Sequence, residues 1–281
     1  MYLPTEIGKA RVLITVKTYP LPSGKYDELV CTAGLLNGRQ WIRIYPVPYR
    51  FLSEKIKYPK YSWIELDLVR NTKDFRPESY RPLNGIDEDI RVLDKIGTAK
   101  HWADRKDYVL KEIFTSMQEL ISIAKSPQKK SLATIKPTEI VDFIIEDDDR
   151  QWKDKWLAQS KQGVFDEILY RDRQPKIRSP LWKLPYKYSY QFLTEKDSKP
   201  RKLLIADWEL GALFWNCLKK TEGDEKAANK LVRQVYFDKF VETKDLYFFV
   251  GTNKRNHYRS PNPFIIIGVF YPPKTRQISL F

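Results

Sequence analysis

The sequence predicts an α+β protein, an N-terminal antiparallel β-barrel-like domain followed by a mixed α/β C-terminal domain. Alternating, β-branched segments crowd the first seventy residues. Apolar residues recur at helical spacing only beyond residue 100. Two strongly apolar segments, 246–252 and 264–271, then close the pattern as strands. The expected division is a barrel over 1–98, a helical or mixed connecting region over 99–170, and an α+β domain with a basic arm over 171–281.

Each element has its own signal. Residues 11–18 (RVLITVKT) alternate and read as a strand, followed by a Pro- and Gly-bearing loop from Tyr19. Residues 28–36 and 40–46 flank Asn37-Gly38, a pair that readily takes the positive φ angles of a tight hairpin. Residues 61–70 alternate again, and four such strands with short links suggest a sheet curled toward a barrel. A helix is expected over 102–125, from the spacing of Trp102, Val109, Ile113, Met117, Leu120, Ile121 and Ala124. Residues 139–146 read as a strand and 150–162 as a short helix. Residues 186–194 read as an aromatic strand, and 203–219 as a strand entering a helix capped by Asp207. A further helix is expected over 223–241.

Composition points to an acidic polymer as partner. Lys and Arg number 50 against 36 Asp and Glu, a formal net charge of +14, and Phe, Trp and Tyr make up 14% of residues. Cations neutralise phosphates while rings stack on bases. Cys31 and Cys217 lie far apart in apolar surroundings and read as free thiols, and two histidines are too few for a His-based metal site. No Walker A loop or GxGxxG motif occurs, which disfavours nucleotide hydrolysis. No secretory signal or long apolar run is present, so a cytoplasmic protein with no membrane partner is expected.

Three constellations are candidates for nucleic-acid binding. On 40–46 one strand face carries Trp41, Arg43 and Tyr45, with Arg50 just beyond. The alternative is that this face is core, with Arg43 at its rim. The second constellation is a basic stretch, Arg171, Arg173, Lys176, Arg178, Lys183 and Lys187, interleaved with Trp182, Tyr186, Tyr188 and Tyr190. From Tyr170 to Ile205 it holds ten Lys or Arg against three Asp or Glu. The third is the loop between the closing strands, with Lys254, Arg255, His257, Tyr258 and Arg259.

The patterns VKTYPLPSGKY, CTAG, WIRIYPVPYR, KYSWIELD and RPESY resemble an uncharacterised family of prokaryotic proteins. The CTAG to WIR portion is also similar to the opening of dual OB-like domains found among bacterial defence and mobile-element proteins. The resemblance covers about the first 80 residues and implies a barrel-like domain and a genomic setting. It implies no catalytic residues.

The reading is a nucleic-acid-binding protein, DNA or RNA, with no cofactor. One alternative is a metal-dependent nuclease using Mg²⁺ at Asp207 and Glu209. Those two carboxylates lack the lysine that such a site wants next on the strand, and helix capping explains them more simply. The other alternative is an interaction subunit that binds an acidic protein.

Overall fold

The computed structural model describes residues 3–23, 27–85, 90–153 and 181–274. In chain order the first strands are β1 (Glu6–Lys17), β2 (Leu21–Ser23), β3 (Asp27–Leu36), β4 (Gln40–Val47), β5 (Ser62–Arg70), β6 (Ser79–Pro82) and β7 (Arg91–Lys95). Helix α1 (Ala99–Val109), strand β8 (Ile113–Phe114), helix α2 (Met117–Lys125) and strands β9 (Leu132–Ile135) and β10 (Glu139–Asp147) follow. After residue 180 come β11 (Tyr186–Leu193), β12 (Arg201–Leu204), α3 (Trp208–Lys220) and α4 (Glu225–Arg233). A π-helical turn and a short helix extend α4 to Thr243, and β13 (Tyr247–Thr252) and β14 (Phe264–Phe270) complete the fold.

The first five long pairings close a barrel. Its order runs β1-β3-β4-β6-β5, and β5 pairs back to β1. All neighbours are antiparallel except β4 and β6, which are parallel. A closed five-stranded barrel with this strand order is OB-like. At the β3–β4 turn Asn37 and Gly38 take φ of 49° and 70°, the two positive values a type I′ hairpin requires. Val12, Ile14, Ile42, Ile44, Ile64 and Leu66 fill the barrel interior.

The C-terminal region holds a four-stranded sheet, β14-β13-β9-β8, and a three-stranded sheet, β10-β11-β12. Phe143, Tyr188, Tyr190, Phe192, Phe214 and Phe248 lead its core, on which α3 and α4 pack. A third cluster joins the two halves: Leu13, Val16, Leu35 and Trp41, on the outer face of the barrel, meet Leu132, Phe249, Ile267 and Phe270. Strand β1 is therefore buried on both faces from Val12 to Val16, Thr15 included, which corrects the one-sided alternation expected over 11–18.

The continuous helix expected over 102–125 is corrected. Ile113 and Phe114 pair with Thr134 and Ile135 as strands, and Ser116 starts a new helix by accepting from the Glu119 amide at 3.3 Å. The segment has helical periodicity, but a sheet partner takes its middle. Most of the helix expected over 150–162 lies outside the described residues. Among the described residues, no helix is long and apolar enough to cross a membrane.

Candidate functional site

One large cleft, of about 1220 Å³, opens between the barrel and the β13–β14 hairpin. Its barrel wall is built from Cys31 on β3, Arg43 and Tyr45 on β4, and the connections at Thr18–Tyr19 and Asn71–Arg76. Counting barrel strands alone, these are the second and third strands with the first-to-second and fourth-to-fifth loops. OB-folds bind oligonucleotides on that face. The facing wall is Gly251 to Arg255, Arg259, Ile265 and Ile267.

Charge on the lining is one-sided. Among the described lining residues, Arg43, Lys73, Arg76, Arg81, Lys254, Arg255 and Arg259 face a single acid, Asp74. Arg76 grips Asp74 with Nη2 at 2.6 Å and Nε at 2.9 Å. Burial pushes the Asp74 carboxyl up, but the Arg76 hydrogen bonds and charge outweigh it and hold the carboxyl at about 2. Among the described residues, the other six cations have no carboxylate within ion-pair distance.

Arg43 is the unusual member of this set, because it is 3% exposed. Its Nη1 donates to Ser79 Oγ at 3.2 Å and Ser131 Oγ at 3.0 Å, and Nη2 reaches the Ser131 carbonyl at 3.4 Å. Glu78 orients Ser131 by accepting from its amide and its hydroxyl, each at 2.8 Å. Burial, then the neighbouring Arg76 charge, lower the Arg43 pKa from its ordinary value, with Glu78 and Asp74 among the opposing charges. A buried guanidinium held by serines, without a touching carboxylate, keeps its attraction for an incoming anion or acceptor.

The hairpin tip is fixed to the barrel. Lys254 Nζ donates to the Lys73 carbonyl, and Arg76 Nη1 to the Thr252 carbonyl. Phe75 and Tyr258 stack with ring centroids 5.1 Å apart. His257 beneath them is fully buried. Its Nε2 donates to the Ala124 carbonyl at 2.8 Å, so Nδ1 accepts from the Thr252 hydroxyl, also at 2.8 Å. At the other end Tyr19 donates to the Trp182 carbonyl and accepts from Trp215 Nε1, both at 2.8 Å. Gly211 permits that approach, since a Cβ there would lie 2.2 Å from the Tyr19 ring.

The structure thus gathers Arg43, Tyr45, Lys254, Arg255 and Arg259 from two separate constellations into one cleft. The other expected binding residues are placed elsewhere. Trp41 is 6% exposed and meets Phe249 edge-on at 5.4 Å, so it packs in the seam and offers no face to a base. His257 spends both ring nitrogens inside the protein and positions the tip instead of touching a ligand. Arg50 pairs with Glu28 at 2.8 Å. Lys183 and Lys187 both pair with Asp148, at 2.7 and 2.8 Å, which ties them to the acidic run beside them. Tyr188 and Tyr190 are core, and Trp182 is the exposed ring of that stretch. Arg171, Arg173, Lys176 and Arg178 lie outside the described residues.

Asp207 is one half of a buried ion pair. Lys60 Nζ sits 2.7 and 2.8 Å from its two oxygens, which also accept from the Glu209 and Val269 amides. Glu209 reaches the same ammonium at 3.2 Å. Asp207 therefore has no free oxygen for a cation. Among the described residues, no group of three or more His, Cys, Asp or Glu is gathered at metal-binding distance.

Sequence reasoning missed Lys73, Phe75, Arg76 and Arg81. Their signal was present as the turn-rich, basic run that follows the alternating strand 61–70.

A family model for a domain of unknown function, DUF8757, matches residues 113–281. The chain belongs to that family. A second model, for the domain of unknown function DUF8758, matches residues 8–111. The cleft thus takes one wall from the DUF8758 segment and the other from the DUF8757 segment. No functionally curated protein matches the chain. Among solved structures, a murine DNA-binding protein bound with double-stranded DNA is similar over 95% of each chain, at 8% identity and a TM-score of 0.31.

Proposed function

We propose that this protein binds nucleic acid in the cleft between its barrel and the β13–β14 hairpin. The observation that carries the reading is the set of six cleft cations without carboxylate partners among the described residues, three on the ligand-binding side of an OB-like barrel and three on the hairpin that faces it. Tyr45, Phe75 and Tyr19 line the same space, so charge and planar rings occur together. The setting that the N-terminal resemblance implies is a prokaryotic defence or mobile-element system.

The test is a salt titration with four probes, single- and double-stranded DNA and RNA. Six phosphate contacts on a single strand predict a loss of roughly 10²- to 10³-fold in affinity between 50 and 200 mM salt. Reversing two rim charges, with Lys73→Glu and Arg81→Glu, lowers affinity further at every salt concentration. No binding to any probe at low salt, or a flat salt profile, overturns the proposal.

A further inference from the structure

We infer that the cleft accepts a single strand and excludes a duplex, with bases directed inward and phosphates along the rim. This rests on the reading of the cleft as a nucleic-acid site. Three features of the cleft support it.

The first is the radial order of the chemistry. Lys73, Arg81, Lys254, Arg255 and Arg259 are all exposed at the rim. Inside them lie Tyr45, Pro46, Ile265 and Ile267, which are buried or half-buried. A duplex shows its phosphates on a convex outer surface and keeps base faces stacked against each other. It can satisfy the rim but leaves the apolar interior empty. A single strand supplies both parts, since each base has a free face for apolar and aromatic surface while its phosphate stays near solvent.

The second is the fixed geometry of the walls. Lys254 is bonded to the Lys73 carbonyl, Arg76 to the Thr252 carbonyl, and Phe75 is stacked on Tyr258. The two walls are therefore tied together where the barrel loop meets the hairpin tip, and His257 holds the tip in place. Widening the cleft for a duplex requires breaking these contacts together.

The third is Arg43, which lies deeper than the rim cations. The residue lines the cleft at 3% exposure with Nη1 and Nη2 bonded to Ser79 and Ser131, so the phosphates of a duplex resting on the rim do not reach it. Only a group inserted past the rim approaches it. The cleft volume of about 1220 Å³ exceeds the roughly 300–1,000 Å³ of small-molecule sites. It suits a short stretch of strand, about four nucleotides at the low end for a barrel of this kind.

The experiment is fluorescence anisotropy at fixed salt with a labelled 12-nucleotide single strand, as DNA and as RNA. Competitors are a blunt duplex of the same sequence and an abasic strand of equal length. The expected result is that the single strand competes at least about tenfold better than either. The abasic strand carries the same charge, so its weakness measures base insertion. Tyr45→Leu should lower single-strand affinity with the salt slope unchanged, and the abasic competitor tests the same point without any variant. A duplex that competes as well as the single strand overturns the inference and leaves the nucleic-acid reading standing. An abasic strand that competes equally overturns the inward placement of bases. Failure of every probe to bind overturns the reading itself.

Discussion

Lys60 of the barrel and Asp207 of the C-terminal region form an ion pair with both members almost fully buried, Nζ lying 2.7 Å from Oδ1 and 2.8 Å from Oδ2. The pair spans 147 residues of sequence. Asp207 also caps α3 through the Glu209 amide, so one carboxylate fixes the helix start and the seam between the two halves. Burial lowers the Lys60 pKa, but Asp207 and Glu209 together outweigh it, leaving a net upward shift. The ammonium is therefore held in its charged form.

Removing one member should leave the other charged and buried. Lys60→Met is expected to cost about 3–5 kcal/mol, and Lys60→Met with Asp207→Asn should recover part of that loss. Urea unfolding of the two variants beside the parent measures both. A single variant that costs less than about 1 kcal/mol would mean that water reaches Asp207 and the pair is not a strut.

Trp41→Ala should act on stability. The ring is packed in the seam against Phe249, so its loss opens a cavity there. The expected cost is about 3–5 kcal/mol, with binding per folded molecule unchanged. Thermal melting and a stoichiometric binding titration separate the two effects. A well-folded variant with weakened binding would place Trp41 at the ligand after all.

The hairpin tip should behave as a set of phosphate contacts. Lys254, Arg255 and Arg259 are exposed and unpaired with carboxylates among the described residues. Replacing all three with Ala should reduce the slope of log K against log salt by about two, at about 0.7 per contact. Stability should fall by no more than about 1 kcal/mol, the worth of the lost Lys254 hydrogen bond to the Lys73 carbonyl. An unchanged slope at unchanged affinity would show that the tip is a bystander.

Acid should weaken the tip. Burial lowers the His257 pKa from its ordinary 6.5, with Arg76 and Arg43 charges acting in the same direction and the Ala124 carbonyl and Glu78 opposing. The unfolded chain then binds the proton more readily than the folded one between the lowered value and 6.5. Folding stability should therefore fall as pH drops through about 6.5 and level off below the folded pKa. His257→Gln cannot titrate, so the difference in stability between parent and variant should change across that range. A pH-independent difference would sink this assignment.

Much of the barrel was legible because its signals are local. Asn37-Gly38 prescribes its own turn, and the alternation at 61–70 needs no partner to be recognised. The Asp207 cap was legible for the same reason. The cations of the tip and Tyr45 were legible as candidate site residues from charge and aromatic type. What covers a strand face is set by residues far along the chain, and no spacing records it. Alternation put Trp41, Arg43 and Tyr45 on one side of β4, but Phe249 covers the first, Ser131 holds the second, and the third reaches the cleft. The short strand Ile113–Phe114 escaped notice because its pairing with Thr134–Ile135 overrides a helical pattern.

The hydrogen bond from Arg43 to Ser131 joins the segment 8–111 to the segment 113–281. Lineage acts on such a joint differently from a pocket cut into one segment. A change at Ser131 alters the hold on the Arg43 guanidinium of the other segment, and a change at Glu78 loosens Ser131 across the same joint. A chimera that combines diverged versions of the two segments would keep intact sheets and lose the match across the cleft.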